Sequence, residues 1–186
     1  MDQRDLVERA RRGDHDAFAQ LVEASIARLE AVARLILRDP ELARDAVQDA
    51  YIRAWRDLPA LRDAERFDGW LHRLTANAAI DAVRKRRRRP IEVELAPISP
   101  QSISDASGPI ADRDALERGF RHLRPEQRAI LVLHYYLGLP ASDIAETLEI
   151  PHGTAQSRLY RALSDLRAAL AAEERSAASV RQEVVA

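Results

Sequence analysis

From Phe18 onward the apolar residues fall three and four apart: Phe18, Leu21, Val22, Ile26, Leu29, Val32, Ala33 and Ile36. That spacing predicts one face of a helix. It breaks at "RDPE" (38–41), where Pro40 opens the next helix, its missing N–H harmless in a first turn. In "ELARDAVQDAYIRAWRDL" (41–58), Val47, Ala50, Tyr51, Ala54, Trp55 and Leu58 make a continuous apolar arc. A third helix runs from about Phe67, with the core stripe Leu71, Leu74, Ala78 and Ala82. It enters a basic run and stops before Pro90, because the residue ahead of a proline avoids the helical conformation.

Residues 90–112 lose the period and gather Pro and Ser, which predicts a flexible linker. "IEVEL" (91–95) alternates like a short strand but has no partner strand. Helical spacing returns over 113–172. "PEQRAILVLHYYLGL" starts at Pro125 and ends at a C-cap near Gly138, and "ASDIAETLEIP" and "HGTAQSRLYRALSDLRAAL" follow. Residues 173–186 are polar and predict a frayed tail. The expected fold is all-α: two small helical domains, 1–89 and 113–172, joined by that linker.

Ser142 to Arg161 has the length of a helix-turn-helix. Ile144, Ala145 and Leu148 face inward, Ala145 being small enough for two helices to cross closely. Ile150 and Pro151 force the turn. Ala155, Leu159, Ala162 and Leu166 bury one face of the second helix. The other face holds Thr154, Ser157, Arg158 and Arg161, with His152 and Gln156 beside them. Such side chains bond base edges and phosphates, and they sit at the end of the helix that enters a major groove in this motif. The stretch 152–163 has no acidic residue. DNA contact is the reading preferred over a merely solvated face.

Two further faces stand out. On the helix over 41–58, Asp45, Gln48, Asp49 and Arg56 surround Ile52. One apolar residue ringed by charges and an amide suits a protein docking surface, although single exposed apolar residues are common. On the next helix Trp70, Asn77, Asp81 and Arg84 lie near one another and lead into 84–89, an unbroken basic run that includes Arg87. An aromatic, an amide and guanidinium groups suit a surface that stacks bases and holds phosphates. Trp70 reads equally well as core. The basic run reads as phosphate contact, since six like charges repel unless something neutralises them.

Composition narrows the classes. With 46% hydrophobic residues a packed core is possible, while 5% aromatics favour helix over sheet. The absence of cysteine excludes disulfides and thiolate metal sites. No apolar run is long enough to cross a bilayer, and the N-terminus lacks the apolar segment of a signal peptide, so the chain reads as cytoplasmic with no membrane insertion. His15, His72, His122, His134 and His152 have no metal-ligand spacing, and no Gly-rich phosphate loop exists. No cofactor is expected, and a helical hydrolase, the enzymatic reading, is disfavoured.

In order along the chain, "DAVQDAYIRAW", "FDGWLHRLTANAAIDAVRKRRR", a Pro/Ser linker and "LRPEQRAILVLHYYLGLPASDIAETLEIPHGTAQSRLYRAL" resemble bacterial RNA polymerase sigma factors of the extracytoplasmic-function group. The resemblance implies that the first domain binds core RNA polymerase through Asp45, Gln48 and Asp49, the face that carries Ile52. It implies that the loop from Leu58 to Phe67 captures a flipped base of the minus-ten element, with Asn77, Asp81 and Arg84 close by. The last domain would read the minus-thirty-five element of promoter DNA, and an anti-sigma factor is a typical partner. Three positions depart from the family pattern. Arg44 replaces an acidic residue, Ala76 stands where Arg is usual and so removes a phosphate contact, and Gln156 stands where Lys is frequent. The competing reading is a two-domain helix-turn-helix regulator that binds duplex DNA without polymerase; it leaves the Ile52 face and the basic run unexplained.

Overall fold

The structure is a computed structural model that describes residues 2–88 and 110–185. The predicted linker, its "IEVEL" segment and the end of the basic run lie outside the described residues. The chain divides into two units, one on each side of Pro100. Every regular element among the described residues is helical.

The first unit holds α1 (Gln3–Arg11), α2 (His15–Leu37), α3 (Pro40–Asp57) and α4 (Phe67–Arg88). An aspartate caps each of the first three. Asp2 accepts from Arg4 N–H, Asp14 from Ala17 N–H, and Asp39 from Glu41 and Leu42 N–H. Each cap satisfies a backbone donor that the helix cannot, an effect of about 1 kcal/mol. Gly13 turns the chain between α1 and α2 at φ +90°, where a side chain is strained. α2, α3 and α4 pack on one another around Leu29, Val32, Ile36, Leu58, Phe67 and Leu71, all essentially inaccessible.

α2 departs from its predicted face. Ile26 is 40% exposed, and Ser25 is buried in its place. The Ser25 hydroxyl lies 2.6 Å from the Leu21 carbonyl, to which it donates, and 2.7 Å from the Tyr51 hydroxyl. Tyr51 reaches α2 from α3 and needs a polar partner for its tip, so the helix presents its serine inward.

His72, on α4, is buried, with its Nδ1–H donating to the Asp68 carbonyl one turn earlier, 2.8 Å away. Burial, and then the charge of Arg28, hold its pKa below the ordinary 6.5. The unfolded chain therefore takes up this proton first as pH falls. Stability from a neutral His72 is complete above about pH 6.5 and declines as pH drops below it. Urea unfolding followed by tryptophan fluorescence between about pH 7.5 and 5 is expected to show that decline, and His72→Gln to flatten it. Identical pH profiles for the two proteins would remove His72 as the cause.

The second unit holds α5 (Ile110–Arg121), α6 (Pro125–Leu131), α7 (Ala141–Thr147) and α8 (His152–Val185). α5, α6 and α7 each pack against α8. Gly119 lets α5 approach closely: a Cβ there would come within 2.9 Å of Leu170. α6 ends in a π-helical turn, Val132–Tyr136, followed by Gly138 at φ +68°, as the C-cap reading expects. The turn between α7 and α8 has Glu149 at φ +52° ahead of Ile150 and Pro151. A left-handed residue there reverses the chain within three positions. The frayed tail is not seen: α8 continues to Val185, and Glu173 is held by Arg118 at 3.0 Å and His122 at 3.2 Å. Arg118 lies on α5 and His122 directly after it, 55 and 51 residues from Glu173, so both were invisible to local spacing.

Candidate functional site

α8 is two-faced over its first three turns. Ala155 and Ala162 are fully buried, Leu166 is buried and Leu159 half-buried against the other helices of the unit. On the reverse, His152, Gln156, Ser157, Arg158 and Arg161 are exposed and Thr154 is half-buried. The Ser157 hydroxyl donates to the Thr154 carbonyl at 3.0 Å, which fixes its rotamer. Among the described residues neither Arg158 nor Arg161 pairs with a carboxylate, so both guanidinium groups face solvent unneutralised. The helix begins beside Pro151, whose carbonyl accepts from Thr154 N–H at 2.9 Å.

Sequence reasoning missed Tyr160, which is 74% exposed on this face. Its spacing was the available signal. Tyr160 lies four residues after Gln156 and three after Ser157, so it shares their stripe. Aromatic residues are usually assigned inward, which hid it.

On α3, Asp45, Gln48 and Asp49 are exposed and Ile52 is 59% exposed. Ile52 is not isolated. A groove of about 520 Å³ between α2 and α3 is lined by Phe18, Ile26, Val47, Tyr51, Ile52 and Trp55, together with Glu30, Arg44 and Gln48. Its aromatic wall is packed: Trp55 carries His15 stacked at 4.5 Å and Phe18 at 4.9 Å between ring centroids. Arg44 is exposed and paired with Glu41 on the same helix. An apolar groove edged by a carboxylate, a guanidinium and an amide, with Asp45 and Asp49 exposed on the same helix, has the apolar centre and polar rim of a protein-docking surface.

α4 brings its four predicted residues to one side. Asp81 and Arg84 are exposed, and Asn77 and Trp70 are half-buried. The Trp70 ring lies 6.1 Å from that of Phe67, so it is partly packed and partly open, between the two readings that its sequence left standing. The side chain of Arg87 lies outside the described residues. Ala76 corrects one expectation. It is fully buried, so its place is in the core and no phosphate contact is lost by its being alanine. The connection from α3 to α4 makes two short 3-10 turns, Leu58–Ala60 and Ala64–Arg66. Leu58, Ala64 and Phe67 anchor it inward, while Pro59, Arg62, Asp63, Glu65 and Arg66 are exposed at its surface. α1 packs against both turns.

These faces belong to a known class of protein. The family model for Sigma-70 region 2 matches residues 21–89, and that for Sigma-70 region 4 matches residues 113–166. The chain is 34% identical over 154 residues to the ECF RNA polymerase sigma factor SigM of Mycobacterium tuberculosis, covering 83% of this chain and 77% of that one. It is 31% identical over 151 residues to the RNA polymerase sigma-E factor of Streptomyces coelicolor, covering 81% and 84%. Among solved structures it is similar to CnrH in complex with the cytosolic domain of CnrY, at 25% identity and a TM-score of 0.57, covering 91% and 97%. The protein is therefore a sigma-70 type transcription factor with regions 2 and 4. Within that class the chain belongs to the extracytoplasmic-function (ECF) RNA polymerase sigma factors, and it binds RNA polymerase for promoter recognition and transcription initiation. Among the described residues no helix is long and apolar enough to cross a membrane.

Proposed function

We propose how that activity is divided over the surface. The α3 face, Asp45, Gln48, Asp49 and Ile52, docks on core RNA polymerase. The α4 stripe, Trp70, Asn77, Asp81, Arg84 and Arg87, meets the minus-ten element, and the connection from Leu58 to Phe67 takes up a flipped base. The start of α8, His152, Thr154, Gln156, Ser157, Arg158 and Arg161, reads the minus-thirty-five element. Tyr160 joins that row, its ring suited to a thymine methyl and its hydroxyl to a phosphate. A split reader gains from the tether between its parts, because one bound contact raises the effective concentration of the other. The CnrH structure holds that protein against the cytosolic domain of CnrY. An anti-sigma factor is proposed as a protein partner of this chain, acting on it in the cytoplasm.

The observation that carries the promoter reading is the exposed row on α8, with two unpaired arginines and no acidic residue from His152 to Leu163. Arg158→Ala is expected to cost about 1–3 kcal/mol of holoenzyme binding at a cognate promoter and much less once the minus-thirty-five element is scrambled. Filter binding or run-off transcription on both templates makes the comparison. Equal losses on both would make Arg158 a phosphate clamp and take base reading away from it. A regulator acting without polymerase is disfavoured, because residues 21–89 match region 2 and carry the docking groove.

A further inference from the structure

Asp81 is an odd residue for a surface that meets phosphates. A bare carboxylate there repels DNA. In the structure it is not bare. Arg53, on α3, places Nη1 and Nη2 each 3.2 Å from Asp81 Oδ2, and Arg84 lies 3.7 Å from Oδ1. Arg53 is on the helix read as the polymerase-docking element, one turn beyond Asp49, and no spacing argument links it to α4. Packing of α3 along α4 brings its guanidinium onto the promoter stripe.

We infer that Asp81 is a positioning residue that holds Arg53 and Arg84 side by side, and that Arg53 is a promoter-phosphate contact delivered from α3. This rests on the reading that the α4 stripe faces the promoter. The chemistry is favourable. A guanidinium has five N–H donors, so Arg53 keeps donors for a phosphate after bonding Asp81. Two cations around one carboxylate leave a net positive charge at the stripe. The same carboxylate restrains two long side chains that otherwise lose rotamer freedom on binding DNA.

The test measures holoenzyme binding over a salt series, on a cognate promoter and on one with its minus-ten element shuffled, beside affinity for core polymerase. Arg53→Ala is expected to lower the slope of log K against log salt by about 0.9, roughly a fivefold loss at about 0.15 M salt, on both templates. Arg53→Lys keeps the charge and restores the slope. Asp81→Asn weakens binding, and Arg53→Ala added to it costs little more. An unchanged slope in Arg53→Ala, a loss confined to core polymerase affinity, a slope that Lys does not restore, or tighter binding by Asp81→Asn would each overturn the inference. Asn77→Ala and Arg84→Ala separate the underlying reading. If neither affects promoter binding, the stripe does not face the promoter. If both do while Arg53→Ala does not, the stripe stands and only Arg53's role fails.

Discussion

Replacing Ile52 with Asp is expected to lower affinity for core RNA polymerase by about 30-fold or more, with the helical circular-dichroism spectrum unchanged. Ile52 is more than half exposed, so a carboxylate there meets water in the free protein and costs the fold little. In the proposed complex with core polymerase the position is the centre of the interface. It lies with Ile26, Tyr51 and Trp55 on an apolar groove edged by Glu30, Arg44 and Gln48, and Asp45 and Asp49 are exposed on the same helix. Centres of that kind carry most of an interface's energy, and truncating one costs about 2 kcal/mol or more. A buried, unpaired charge adds its own desolvation penalty. Asp49→Ala, at the rim, is expected to cost less and to act more strongly at low salt. Titrating the sigma factor with core polymerase while watching the groove tryptophan, Trp55, gives the affinities. Wild-type affinity in Ile52→Asp would end the docking assignment of this face.

Ile144→Ala is expected to remove about 2–5 kcal/mol from the second unit alone. Ile144 is fully buried on α7, which packs on α8, the helix that carries the proposed reading row. A unit of this size has a total stability of a few kcal/mol, so the loss is a large fraction of it. Both tryptophans, Trp55 and Trp70, belong to the first unit. Circular dichroism is therefore expected to show an earlier transition, while tryptophan fluorescence keeps its midpoint. Holoenzyme assembly through the α3 face should survive, and recognition of the minus-thirty-five element should not. A tryptophan transition that shifts equally would mean the two units unfold as one.

Much of the fold was legible because the information is local. Pro40 and Pro125 open helices where a missing N–H is harmless, and Gly138 has the positive φ of a cap. The three- and four-residue spacing of α3 and α8 separates their buried from their exposed sides. Ile52, Arg158 and Arg161 emerge on the exposed sides as that spacing predicts. Spacing defines a face only to within a fraction of a turn, however. Leu21, Val22, Ser25, Ile26 and Leu29 satisfy two slightly rotated inward faces, and the Tyr51 hydroxyl selects the one that buries Ser25. Ala76 was misread for a related reason. Its neighbour Asn77 is half-exposed, and one residue along a helix is a rotation of about 100°.

What the sequence determined by itself is therefore what depends on neighbours a few residues apart: the helices, their caps and turns, and the exposed polar row at the start of α8. The tertiary structure alone decided which residues distant in sequence share a surface. It put Ile26 beside Ile52 in one groove, carried α8 past Glu173 through Arg118 and His122, and laid Arg53 of α3 on Asp81 of α4. Backbone hydrogen bonding and side-chain periodicity are set along a single helix. The approach of two helices depends on how all their side chains interlock, and no spacing within one segment encodes it.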